Sequence, residues 1–161
     1  MIQLIQELGA LFGVNFQIVH ITNEEGQIIA PHHLEAALGV HRQLRPQLPD
    51  AYAALMAQVF ASGGRMVAAL DRERVVGVAV YRIHVNTHLG RHLYVDDLVT
   101  DQQLRSRGIG HALMGWLRNT AQAQGCTTLA LDSGVQRADA HRFYFREGMT
   151  ITSFNFKQAL L

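Results

Sequence analysis

Apolar residues change their spacing several times along the chain, and each change marks an element. Leu4, Ile5, Leu8, Leu11 and Phe12 recur at helical spacing, which predicts a short amphipathic helix over 3–12, within an extra N-terminal segment of residues 1–13. FQIVHIT, residues 16–22, predicts a strand, closed by the turn residues Asn23, Glu24, Glu25 and Gly26. A helix from His33 to Leu44 follows, stopped by Pro46, and a second runs from Asp50, its expected N-cap, to Gly63-Gly64. Then come two β-branched runs, RMVAALD and RVVGVAVYRIHV, joined by the turn-like Asp71-Arg72-Glu73. RHLYVDDLVT predicts the next strand, reached through the loop Asn86-Thr87-His88-Leu89-Gly90. A helix over about 108–124, the strand TTLALDS, the short helix ADAHRFYFRE and a final strand TITSFNFKQAL complete the pattern. The order β-α-α-β-β-β-α-β-α-β implies an α/β fold with a mixed sheet, and no repeat or linker divides the 161 residues, so a single domain is expected.

Composition narrows the chemistry. Apolar residues make up 48% and charged residues 17%, which is globular rather than disordered. A formal net charge of +1 lacks the basic excess of bulk nucleic-acid binding, although a local basic cluster can still grip one anion. The lone Cys126 excludes an internal disulfide and a cysteine-built zinc cluster, and reads as a small apolar residue opening a strand. No apolar run reaches membrane-spanning length, and Glu7 interrupts the opening run, so a cytoplasmic location is expected.

Candidate chemistry gathers where the long helix starts. Arg105-Ser106-Arg107-Gly108-Ile109-Gly110 places two glycines and two arginines at that point. The first turn of a helix leaves backbone N–H groups without intrahelical partners and carries partial positive charge, so phosphate oxygens fit there. Glycine removes the Cβ atoms that would hold a phosphate off, and the arginines add forked donors. A P-loop is excluded because no lysine follows, and a dinucleotide fingerprint lacks its third glycine at Leu113, although Asp132 lies near the expected acidic position. The pattern [Q/R]-x-x-G-x-[G/A] fits without mismatch.

With that pattern the sequence resembles the GNAT superfamily of acyl-CoA-dependent N-acetyltransferases. LYVDDLVTDQQLRSRGIGHAL resembles the family's fourth strand, pyrophosphate loop and third helix, and ADAHRFYFREGM its later tyrosine-bearing segment. The resemblance implies transfer of acetyl from acetyl-CoA to a primary amine, more on small molecules than on proteins, by direct attack in a ternary complex. It implies no metal, and a homodimer as in many relatives. The backbone of Leu98, Val99 and Thr100 would pair with the pantetheine arm, and the N–H groups of Arg105, Ser106, Arg107, Gly108, Ile109, Gly110 and His111 would hold the pyrophosphate. Tyr144 matches the tyrosine near the cofactor sulfur. There a hydrogen bond to the departing thiolate would assist. Asp96 matches an acidic position of amine-acetylating relatives, as base or as an attracting charge. Strand alternation would turn Asp97 to the opposite face, as a structural carboxylate. Two other readings stand beside this one: a non-catalytic acyl-CoA-binding regulatory module, and a dinucleotide-binding domain.

Other side chains carry weaker signals. His84, His88 and His92 are spaced by four but lie among turn residues, so a metal face is not expected, while His84 and His92 could meet across a hairpin. His32 and His33 belong to a helix-leading loop. His141 shares a helix face with Tyr144, and Asp132 and Ser133 end a strand where ligand clefts gather.

Overall fold

Five strands lie side by side in the order β1-β2-β3-β4-β5, in a computed structural model that describes residues 16–160. They are β1 Phe16–His20, β2 Arg65–Asp71, β3 Arg74–Asn86, β4 Gly90–Thr100 and β5 Thr128–Leu131. The helices are α1 Pro31–Leu44, α2 Tyr52–Ala61, α3 Ile109–Ala123 and α4 Ala138–Arg146. The helix expected over 3–12 lies outside the described residues. The chain forms two compact units, one through Ala130 and one from Leu131 onward.

In the first unit, β1 to β4 pair antiparallel in sequence. Arg72 and Glu73 form the tight turn between β2 and β3, with Arg72 at φ 55°. A helix separates β4 from β5, the kind of connection that mixed sheets use. Alternation along the strands then sends side chains to two faces. Met66, Ala68, Leu70, Val78 and Val80 share one buried cluster with Leu34, Ala37 and Val40 of α1 and with Tyr52, Met56 and Phe60 of α2. On the other face Ile109, Leu113, Met114 and Leu117 form the buried stripe of α3. Trp116 of α3 meets Tyr81 edge-on at 5.6 Å and His20 at 5.3 Å. Burial pushes the Tyr81 phenol up to about 12.

Helix boundaries follow the expected signals with two exceptions: α1 begins at Pro31, so His32 and His33 lie in its first turn and not in a leading loop, and Asp50 is not an N-cap. Pro31 opens α1 and Pro46 follows its end. Asp50 does not cap α2: Ala51 occupies the N-cap, and the Asp50 carboxylate instead takes Arg42 Nη2 at 2.6 Å. An exposed carboxylate within reach of a guanidinium finds a charged donor there, and the helix starts two residues later.

In the second unit, α4 is followed by Gly148 at φ 80°. The final predicted strand is not formed. Residues 150–160 carry no regular secondary structure, and Ile151, Phe154, Phe156 and Leu160 are exposed. A strand is defined by its neighbour, and apolar alternation supplies side chains for a face without supplying a ladder partner.

Candidate active site

β4 carries a bulge at its centre. Val80 pairs with Asp97 but Tyr81 pairs with Val95, so Asp96 is an extra residue without a partner on β3. This overturns the expectation that Asp96 and Asp97 face opposite ways. The bulge cancels one step of alternation, and both carboxylates reach the side covered by α1 and α2. Asp97 Oδ2 lies 2.9 Å from His41 Nε2, and its Oδ1 takes Arg45 Nε at 2.7 Å, both from α1 or its cap. Asp96 Oδ2 accepts from Arg82 Nε at 2.8 Å and lies 2.7 Å from Nη2 as an ion pair, while Arg82 Nη1 donates to the Ser62 carbonyl just after α2 at 3.0 Å.

His41 is buried, and its Nδ1 lies 2.8 Å from the hydroxyl of buried Tyr52. One tautomer satisfies every group: Tyr52 O–H donates to Nδ1, and Nε2–H donates to Asp97. Burial would push the Asp97 carboxyl up, but hydrogen bonds from His41 and Arg45 outweigh it and hold it below the usual carboxylate range. Burial, then the Asp97 charge, pushes the Tyr52 phenol well above its ordinary value. Strand β4 is therefore tied to both helices one residue before Leu98.

Leu98, Val99 and Thr100 pair with Ala79, Val78 and Gly77 of β3 on one edge. β5 enters beside Arg91, where Thr127 N donates to Arg91 O at 3.2 Å. Its four residues span only about 13 Å. That is too short to reach Leu98, seven positions beyond Arg91, so β5 leaves the second edge of this stretch to another extended partner.

After Thr100 the chain is clamped. Asp101 N donates to Val76 O, and the buried Asp101 carboxylate caps the short 3-10 turn Gln102–Leu104 through Gln103 N at 3.0 Å. Gln43 and Arg74 also reach that carboxylate, and these donors hold it below the usual range against the cost of burial. Ser106 at φ 63° and Gly108 at φ 82° then turn the backbone into α3. The first bond of the ladder runs from Ala112 N to Gly108 O, so the N–H groups of Ile109 and Gly110 lie ahead of it. Arg105, Ser106, Arg107, Gly108 and His111 are exposed around this helix start. The left-handed glycine, bare N–H groups and two exposed guanidinium groups suit a diphosphate.

Tyr144 lies in α4, in the second unit, with its ring 5.4 Å from that of Phe143. In the same unit His141 Nε2 lies 3.0 Å from the Gly134 carbonyl, Asp132 takes Asn155 Nδ2, and the buried Ser133 Oγ has no partner among the described residues. His84 and His92 do meet across the β3-β4 hairpin, ring centroids 4.1 Å apart, with His92 held by Gly90 O and Asn86.

Sequence reasoning missed His41, Tyr52, Arg45 and Arg82. His41 occupies an apolar position seven after Leu34, and Arg82 interrupts a β-branched run; both oddities were visible signals. The bulge left no glycine or proline to mark it.

A family model described as the acetyltransferase (GNAT) family matches residues 31–149. The chain belongs to the GNAT acetyltransferase family. It is 43% identical over 75 residues to the uncharacterized N-acetyltransferase YhdJ of Bacillus subtilis, covering 46% of this chain and 53% of that protein. It is 34% identical over 95 residues to the aminoalkylphosphonate N-acetyltransferase of Salmonella typhimurium, covering 57% of this chain and 60% of that protein. The GNAT chain thus spans little more than half the length of these curated relatives. Among solved structures, aminoglycoside N-acetyltransferase AAC(6')-Iy in complex with CoA has TM-score 0.76 at 18% identity, covering 92% of this chain and 96% of that one. A transcriptional regulator from Bacillus halodurans has TM-score 0.74 at 21% identity, over 90% and 99%. These two likenesses show the fold.

Proposed function

We propose that this GNAT chain is an N-acetyltransferase that moves an acetyl group from acetyl-CoA to a primary amine of a small molecule, by direct attack in a ternary complex. The observation that carries the reading is the helix start after Gly108, where the N–H groups of Ile109 and Gly110 precede the ladder and exposed Arg105 and Arg107 stand in the loop that leads there from the bulged strand. The relatives named for aminoalkylphosphonate and aminoglycoside acetylation support a small amine as acceptor.

Acetyl-CoA supplies an activated thioester. Around it the chain's own groups act in three ways. The N–H groups from Arg105 to His111, with the two arginine side chains, bind the diphosphate. The open edge of this stretch pairs with the amide arm through the outward backbone groups of Leu98 and Thr100, since Val99 faces Val78 of β3, and the Leu98 N–H stabilises negative charge developing on the thioester carbonyl. Tyr144 donates its hydroxyl proton toward the departing sulfur.

Asp96 anchors the amine. A primary ammonium with a pKa near 10 is only about one part in a thousand neutral at pH 7. Arg82 Nε donates to Asp96 Oδ2, which leaves Oδ1 to accept from the ammonium. Water takes the proton, and the small neutral fraction reacts.

The test is steady-state acetylation with acetyl-CoA and a panel of amines, product identified by mass spectrometry. Tyr144→Phe is expected to bind CoA as the parent does and to lower kcat by about 10-fold or more; an undiminished kcat removes the acid role. Tight CoA binding with no amine acetylated would instead favour a regulatory module.

A further inference from the structure

The acceptor side of the bulge holds an ion pair with spare capacity on both partners. Asp96 Oδ2 accepts from Arg82 Nε and lies 2.7 Å from Nη2, and its Oδ1 accepts from no described residue. Arg82 has five N–H groups. Two are committed to hydrogen bonds, Nε–H to Asp96 and one on Nη1 to Ser62 O, while Nη2 stands 2.7 Å from the same Asp96 oxygen as an ion-pair contact. The side chains of Arg82 and Asp96 keep 28% and 26% exposure, so solvent, and therefore a ligand, reaches both.

An open carboxylate oxygen beside uncommitted guanidinium donors is a receptor for opposite charges. An ammonium donates to Asp96 Oδ1, while a carboxylate or phosphonate accepts from the uncommitted N–H groups of Arg82, whose several donors suit an oxyanion better than a lysine does. Neither contact requires the Arg82–Asp96 pair to open. The surrounding charge points the same way. Arg45 lies beside Asp97 as Arg82 lies beside Asp96, so the four groups balance, and a polycation would meet two guanidinium groups along with the two carboxylates.

We propose that the acceptor is a zwitterion, a short amine that carries a carboxylate or phosphonate within a few bonds of its nitrogen, and that Arg82 is the residue that selects it. This rests on the acetyl transfer proposed above, with Asp96 as the amine's anchor.

The test compares 3-aminopropanoate, 2-aminoethylphosphonate, propylamine and a polycationic aminoglycoside on the full chain saturated with CoA. Calorimetry reads binding, and acetylation with acetyl-CoA reads kcat/KM. At least one zwitterion is expected to bind 10-fold or more tighter than propylamine and the polycation, and to show the higher kcat/KM. The two zwitterions differ only in the oxyanion, so their order tells which is preferred. Arg82→Gln should bring the zwitterion-to-propylamine ratio toward one, and Arg82→Lys, which keeps charge without the fork, should restore part of it. Each variant is checked for an unchanged Tm and CoA affinity, so that loss of discrimination is not loss of fold. Propylamine or the polycation binding as tightly as both zwitterions overturns the proposal, as does a ratio that survives Arg82→Gln. Binding is read without turnover, so absence of acetylation counts against the enzymatic reading alone.

Discussion

Asp97 is ionised, buried for most of its surface, and held by His41 and Arg45. Its native pKa lies below the unfolded value near 4. A depressed carboxyl stabilises fully above the unfolded pKa, and that contribution disappears as pH falls through the native one. Tm should therefore drop below about pH 4, and Asp97→Asn should flatten that acid limb while lowering Tm at neutral pH. Thermal melts from pH 3 to 7 measure both. Tyr52→Phe removes the donor to His41 Nδ1 and leaves a buried acceptor unpaired, at a cost of about 1–3 kcal/mol. Urea titration should show a lower midpoint with an unchanged slope. Asp96 carries a kinetic prediction: if it anchors without removing the proton, kcat/KM rises tenfold per pH unit toward the amine's own pKa. A plateau well below that pKa would assign it the base role.

At the level of elements, the diphosphate cradle depends on how closely α3 approaches the sheet. A Cβ at Gly77 would stand 2.9 Å from Ile109 Cγ2 and 3.0 Å from Leu113 Cδ1, both in the first turns of α3. Gly77→Val should cost about 1–3 kcal/mol through overpacking and displace the helix start, raising KM for acetyl-CoA. At Gly108 the constraint is dihedral rather than spatial, since a Cβ there meets nothing but the backbone sits at φ 82°. Gly108→Ala should cost about 1–2 kcal/mol of backbone strain. Both variants are read by Tm and by acetyl-CoA titration. Element legibility was uneven for physical reasons. Helices and hairpins announce themselves through local spacing and turn chemistry, as in α1 before Pro46 or the turn at Arg72. The segment 150–160 has strand-like residues without a strand, because pairing is a property of two segments.

For the whole molecule, a ligand that binds only the folded chain adds stability by mass action. Acetyl-CoA at about 100 times its Kd should contribute about 2.7 kcal/mol, a rise of several degrees in Tm. The rise should shrink with added salt, because Arg105 and Arg107 are exposed charges. NADH should give no comparable shift, and an equal shift would revive the dinucleotide-binding reading. Scanning fluorimetry of the full chain decides this.

The linear chain by itself determined the family, the helix start at Gly108 and the stretch 98–100 beside it, because those features rest on residues adjacent in sequence and on backbone groups any helix or strand supplies. Tertiary structure decided the rest. A single unpaired residue at 96 brought two aspartates to one side, and helix packing carried His41, with Tyr52 behind it, and Arg45 across more than fifty positions to Asp97. Opposite charges far apart in sequence find one another through packing, and no local pattern encodes which pair will.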